Sequence, residues 1–250
     1  MKQFIYFLLI GFLVAGCEKK ELQFENITYE KQSQKPCDSV TCTTVKINVP
    51  IAENSPVVED SINNSVFKTV REIVYFGEQP YNASNYTDLM EKFVKSYTDL
   101  KAKFPNDPMP AWEATIEGKV AYQSDNLINI TINHYTFTGG AHGYAGVRSL
   151  FVSPSTGKTI SKKDFLKDEN GFKAFAEKKF REKFNIPAKS PINENGLMFE
   201  NEVFQLPETY IFSEKGLLLY YNTYEIAPYV DGPRELLLPY DSIKSYLILK

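Results

Sequence analysis

The sequence predicts an α+β fold: an antiparallel sheet with helices packed on one face, shared between two intimately packed subdomains. Three observations carry the prediction. Residues 112–123 and 128–134 alternate apolar and polar side chains around the turn Ser124-Asp125-Asn126, the pattern of an antiparallel hairpin with one buried and one wet face. Residues 56–73 and 89–104 instead repeat apolar side chains at helical spacing. Strand pairs and helices are clustered along the chain. Composition supports an ordinary folded chain, because 43% apolar and 14% aromatic residues among 250 supply enough buried area to offset the entropy of ordering. With 28 basic against 31 acidic residues there is no cationic excess to neutralise phosphates, so nucleic acid is not an expected partner. Two histidines and three cysteines exclude most zinc and redox sites.

The first elements concern location. Met1-Lys2-Gln3 is a short positive region, followed by the apolar run Phe4 to Val14, about half the ~20 residues that would cross a bilayer. Residues 1–16 therefore read as a signal peptide. Leu13-Val14-Ala15-Gly16-Cys17 resembles the lipobox of bacterial lipoproteins. The resemblance implies cleavage before Cys17, a diacylglycerol on its sulfur and an acylated (palmitate-type) amine, with residues 17–21 as a lipidated tether. Two or three acyl chains anchor stably where one is marginal. Glu18 rather than aspartate follows the cysteine, which in such lipoproteins favours the outer membrane. Cys37 and Cys42 remain, an even pair in an oxidising compartment. They read as a structural disulfide, with two free thiols as the alternative; the spacing does not fit C-x-x-C redox chemistry, and two cysteines are too few ligands for a zinc site.

Leu22 to Lys31 and Thr43 to Ile51 read as two strands flanking the cysteine loop. Ser55-Pro56 opens a helix with Val58, Ile62, Val66, Val70 and Ile73 on its core face. A second helix carries Leu89, Phe93, Tyr97, Leu100 and Phe104 and is stopped by Pro105, Pro108 and Pro110. The hairpin places Trp112, Ala114, Ile116, Gly118, Val120 and Tyr122 on one face, and Ile128, Ile130, Ile132 and His134 on one face of its return strand. Past Thr138-Gly139-Gly140-Ala141-His142-Gly143, a strand runs through Val147, Leu150 and Val152. A helical turn at Ser161 to Leu166 precedes a helix with Phe172, Phe175, Phe180 and Phe184 inward. Residues 188–209 are loop-rich. Strands at Leu217 to Tyr221 and Arg234 to Leu238 and a helical turn within Tyr240 to Leu247 complete the chain.

Chemistry is mostly absent from the motifs. There is no nucleophile elbow, P-loop, dinucleotide fingerprint or H-E-x-x-H, and no catalytic residue, metal or cofactor is assigned. His134 follows three isoleucines in strand phase and reads as a satisfied core or edge histidine. His142 lies among glycines, either as a turn histidine bonded to its own loop or as an exposed binding residue. Glu113 and Glu117 read as solvated charges; a paired-carboxylate site of the glycosidase kind would be the enzymatic alternative, and nothing singles one out. Seven of the 16 tyrosines fall between Tyr210 and Tyr246, in a pattern that suits either the rim of a sheet core or a contact surface for protein or glycan.

The run from Glu214 through Leu217-Leu218-Leu219-Tyr220-Tyr221 and Tyr224-Glu225-Ile226-Ala227-Pro228-Tyr229 to Pro233 resembles the signature of the RsiV-like C-terminal domain family. Thr138 to Gly143 and Ser155 to Ile160 resemble two further motifs of that family. The region before them resembles the domain that precedes it in deacetylases of the PdaC type. The resemblance implies residues 22–143 as a PdaC-like N-terminal domain and 144–250 as an RsiV-like C-terminal domain. It implies binding rather than a defined reaction: anti-sigma factors of the family recognise lysozyme through this module, and in the deacetylases it precedes a peptidoglycan-modifying domain. Sigma-factor control and deacetylation are not carried over, since neither a spanning helix nor a downstream catalytic domain is read here. The expectation is a lipid-anchored envelope protein binding a lysozyme-like protein or peptidoglycan, the alternative being a cell-wall-modifying hydrolase or deacetylase-associated enzyme. Its expected surface comprises His142, Tyr144, Tyr221, Tyr224, Glu225, Tyr229 and Asp231, with the glycine loop and the Tyr224 to Tyr229 run lying side by side.

Overall fold

The computed structural model describes residues 22–34, 36, 37 and 42–248. Cys17, the signal segment and the tether lie outside them. Strands β1 (Gln23–Gln32) and β2 (Thr44–Glu53) pair antiparallel, and Cys37 and Cys42 are disulfide-bonded between them with Cα atoms 5.3 Å apart. Helix α1 (Pro56–Arg71) starts with proline in its first turn, and α2 (Tyr86–Lys103) is capped by Asn85, whose side chain accepts from Asp88 N–H. Both lie on one face of a five-stranded sheet that continues with β3 (Glu113–Gln123), β4 (Ile128–Phe137) and β5 (Tyr144–Val152). Val45, Ile47, Val49, Ile116 and Ile132 from the sheet and Ile62, Val66, Leu89 and Phe93 from the helices are fully buried together, with Trp112 enclosed by Phe93 and Tyr97. Phe104, expected in the stripe of α2, is its exposed C-cap.

Three features depart from the expected pattern. β2 and β3 pair parallel, because the α1–α2 crossover brings the chain back before β3 begins; the other pairs of this sheet are antiparallel. A bulge at Ala121 shifts the β3 register between Val120 and Tyr122. One extra residue flips the alternation, so Tyr122 leaves the helix face and packs against Phe212 on the other side. Finally, β5 pairs with β4 over nine residues, so a division at 143/144 falls between two adjacent strands of one sheet.

The remainder of the chain builds on the opposite face. Helices α3 (Lys162–Phe165) and α4 (Glu169–Lys183) precede a three-stranded antiparallel sheet of β6 (Thr209–Ser213), β7 (Gly216–Tyr221) and β8 (Arg234–Leu238), closed by α5 (Tyr240–Ile243). Its core joins Phe165, Phe172, Phe180, Tyr210 and Leu219 to Leu127 from the β3–β4 turn and Phe151 from β5 of the first sheet. Burying aromatic side chains contributed by both sheets is what makes the two halves one packed body.

Candidate functional site

Two asparagines make the joint between the sheets. Asn129, buried on β4, donates to Ser149 Oγ (2.7 Å) and Leu150 O (3.2 Å) and accepts from the Phe212 amide of β6 (2.9 Å). Asn222, next after β7, accepts from Val147 N–H (2.6 Å) and donates to Val147 O (3.1 Å). β5 is the edge of its sheet, and the Asn222 amide offers it the acceptor and donor that another strand would. Thr209 Oγ1 donates to the same Val147 carbonyl (2.9 Å).

A tight turn follows, closed by Glu225 N–H to Asn222 O (3.0 Å). The Glu225 carboxylate then accepts from the amides of Glu208 and Asn222, each at 2.8 Å. Burial raises its pKa above the ordinary glutamate value, against the lowering effect of those two bonds. Tyr224, the third residue of this turn, has φ +70°, the left-handed region where glycine or asparagine is the usual occupant. Its side chain is 50% exposed. No core packing therefore demands a tyrosine there.

The expected juxtaposition is present in the structure. The His142 ring stacks on Tyr229 with centroids 4.0 Å apart and planes 19° off parallel, and Tyr224 lies 5.4 Å from Tyr229. His142 Nδ1 is 3.0 Å from Gly143 O, which only accepts, so Nδ1 carries a proton. In the neutral ring Nε2 (3.1 Å from the Tyr224 hydroxyl) is then the acceptor. His142 bonds its own loop, as one sequence reading expects, and its ring is exposed. Gly143 lets the end of the Tyr135 ring lie against the backbone, where a Cβ would force that ring to move.

Beside this trio lies an open cleft of about 580 Å³, lined by His134, Tyr144, Arg148, Ser149, Glu208 and Tyr224 among others. A second recess of about 510 Å³ reaches Glu72, Tyr75 and Phe76 after α1 and shares His134, Tyr144 and Arg148 with the first. Tyr144 is 38% exposed, with its pKa raised by burial and by Glu225, and its ring centroid is 5.7 Å from that of His134. His134 fits because its β5 neighbour is Gly146, where a Cβ would stand 2.8 Å from Nε2. It is not the satisfied histidine expected: Nδ1 is buried without a hydrogen-bond partner, and burial, aided by Arg148, pushes its pKa down to about 4. Arg148 itself makes no ion pair or hydrogen bond among the described residues.

Two expected surface residues do other work. Tyr221 is fully buried, donates its hydroxyl to Gln205 O (2.8 Å) and packs against Phe180 and Phe199, because its phase in β7 points into the core. The Asp231 carboxylate pairs with Arg234 (3.1 Å) across a short 3₁₀ turn. The cleft holds two carboxylates, yet both Glu225 oxygens are bonded to the amides that build the turn, and Glu208 lies at the rim, 3.7 Å from Lys162. Neither is arranged as a free acid–base pair. Arg148 was missed by the sequence reading, though it left a signal: it shares a strand phase with the apolar Leu150 and Val152 and pairs across from Ile132.

Residues 37–145 match the family model described as deacetylase PdaC, and residues 159–241 match the model described as a protein of unknown function, DUF3298. Two crystal structures share the fold. A DUF3298 family member from Bacteroides fragilis superposes with a TM-score of 0.68 at 20% identity, over 92% of this chain and 94% of that one. A DUF3298 family protein from Pseudomonas aeruginosa gives 0.67 at 22% identity, over 92% and 95%. No curated protein matches the chain. Among the described residues no cluster of three histidine, cysteine or acidic side chains is placed to hold a metal, and no helix is long and apolar enough to cross a membrane.

Proposed function

From a PdaC-type segment followed by a DUF3298 segment, we propose a cell-envelope binding module, lipid-anchored through Cys17 to the outer membrane, that takes a lysozyme-like protein or peptidoglycan. The observation that carries the reading is Tyr224. A bulky side chain is held at φ +70° by a turn that Asn222 and Glu225 bolt to the rest of the fold, and its ring is left half exposed beside His142 and Tyr229. A backbone cost of about 1–2 kcal/mol at a half-exposed position, repaid inside the chain only by the neighbouring His142 and Tyr229 rings and not by the core, points to contact with something outside the chain. Three rings fixed by mutual stacking and by the Tyr224–His142 hydrogen bond present a large area that loses little side-chain entropy on binding. Such a platform suits the apolar face of a sugar or a protein epitope. The RsiV-like resemblance supports a protein partner of the lysozyme kind, and the PdaC match supports the cell wall as the setting.

The test is capture by the full chain in detergent of lysozyme and, separately, of purified peptidoglycan sacculi. His142→Ala and Tyr229→Ala are each expected to lower retention of the bound partner at least tenfold with the melting temperature within 2 °C of wild type (roughly the scatter of surface substitutions). Retention of neither partner by the wild type would overturn the reading.

A further inference from the structure

Resting on that reading, we infer that the groove beside the aromatic trio binds an acidic glycan, with Arg148 receiving a sugar-borne carboxylate. Four observations lead there. Two recesses of about 580 and 510 Å³ adjoin along β5, with Arg148, His134 and Tyr144 lining both, each in the size range of a small-ligand site. Exposed rings line them: Phe76 (40% exposed) in one recess, Tyr144 in both, Tyr224 in the other. Sugar rings present flat CH faces that stack on such side chains, while the hydroxyls of Thr136 and Thr138 line the second recess beside their polar edges.

The charge is the third observation. Glu225 is committed to two backbone amides and Glu208 to the neighbourhood of Lys162, whereas the Arg148 guanidinium has no acidic partner among the described residues. Glu72 also lines the second recess, without an ion pair to Arg148. A guanidinium left unpaired in the shared lining of the two recesses is a fork for one carboxylate. The fourth observation separates a glycan from a peptide. An extended peptide would most readily dock by adding a strand to the β5 edge. There the Val147 amide and carbonyl are already occupied by the Asn222 side chain, so recognition at this point falls to side chains.

The experiment measures dissociation constants of the full chain in detergent for three probes. These are a neutral tetrasaccharide of N-acetylglucosamine, the same tetrasaccharide with a lactyl ether carboxylate on alternate sugars, and a tetrapeptide with the same number of carboxylates. Wild type is expected to bind the carboxylated sugar at least tenfold tighter than the neutral one, with an advantage that shrinks as salt rises. Arg148→Gln should bring the two sugars within twofold of each other with the melting temperature unchanged, and Arg148→Lys should restore part of the preference. Equal affinity of wild type for both sugars, or a preference that survives Arg148→Gln, overturns the inference while leaving the aromatic platform standing if Tyr224→Asn still abolishes neutral binding. Tighter binding of the acidic peptide than of the carboxylated sugar overturns the glycan assignment. Failure of both sugars to bind, with lysozyme still captured, overturns the groove and keeps the binding module; capture of nothing overturns both.

Discussion

Tyr224 is where local chemistry and global fold disagree most sharply. Asparagine tolerates left-handed backbone and would relieve that cost, so Tyr224→Asn is expected to raise stability by about 0.5–1 kcal/mol, or leave it unchanged after the lost ring contacts, as read by urea midpoint. Glu225 behaves oppositely. Glu225→Ala leaves the part-buried Asn222 amide and the more exposed Glu208 amide without their acceptor and is expected to cost about 1–2 kcal/mol, more than His142→Ala, in the same denaturation assay. A drop for His142→Ala as large as that for Glu225→Ala would contradict this division of roles. His134 adds a pH dependence whose sign follows from its pKa of about 4 against about 6.5 unfolded. Between those values the unfolded chain binds the proton and the folded chain does not, so stability falls as pH drops through this window, by an amount on the order of 2–3 kcal/mol. Glu225, raised by burial, acts with the opposite sign above its ordinary value, so the informative comparison is a difference. His134→Gln should flatten the melting-temperature profile between pH 6.5 and 4 relative to wild type; an unchanged slope would show that the imidazole is hydrated in solution.

At the scale of elements, much was legible because hydrophobic period and turn chemistry point the same way. The β1–β2 pair, α1 with its initial proline, α2, the β3–β4 hairpin and the α4 stripe all stand where their patterns place them. What was not legible depended on distant partners. The bulge at Ala121 is invisible in the alternation itself, since Tyr122 is as suitable for the helix face as for the Phe212 side; the second sheet decides. The parallel β2–β3 pairing follows from where the α1–α2 unit packs, not from either strand. Of the expected surface, His142, Tyr224 and Tyr229 do come together, because a glycine loop and a proline-containing run both end at the β5 edge. Tyr221 is lost from it because a strand tyrosine's phase is set by a sheet the sequence does not display. The turn after β5 offers an element-level test. Gly157 has φ +68°, and a Cβ there would stand 2.5 Å from the Val58 carbonyl, while Ser61 Oγ donates to its own carbonyl. Gly157→Ala therefore meets strain and backbone together and is expected to cost about 2–3 kcal/mol, measured by thermal unfolding.

For the whole molecule, the two halves share aromatic packing and two asparagine clamps, so they are expected to unfold as one cooperative unit. The anchor is separate from that unit: Cys17→Ser is expected to move the protein from the membrane fraction to the soluble one without altering its melting temperature, and a mutant still held in the membrane would contradict lipidation. The central claim is that the trio of His142, Tyr224 and Tyr229 exists for a partner outside the chain. Its most direct measurement is melting temperature and peptidoglycan affinity determined together on Tyr224→Asn. A melting temperature at or above wild type with affinity reduced at least tenfold is the result expected. A variant that melts well below wild type, or one that binds as tightly as wild type, would show that Tyr224 serves the fold alone and would contradict the account.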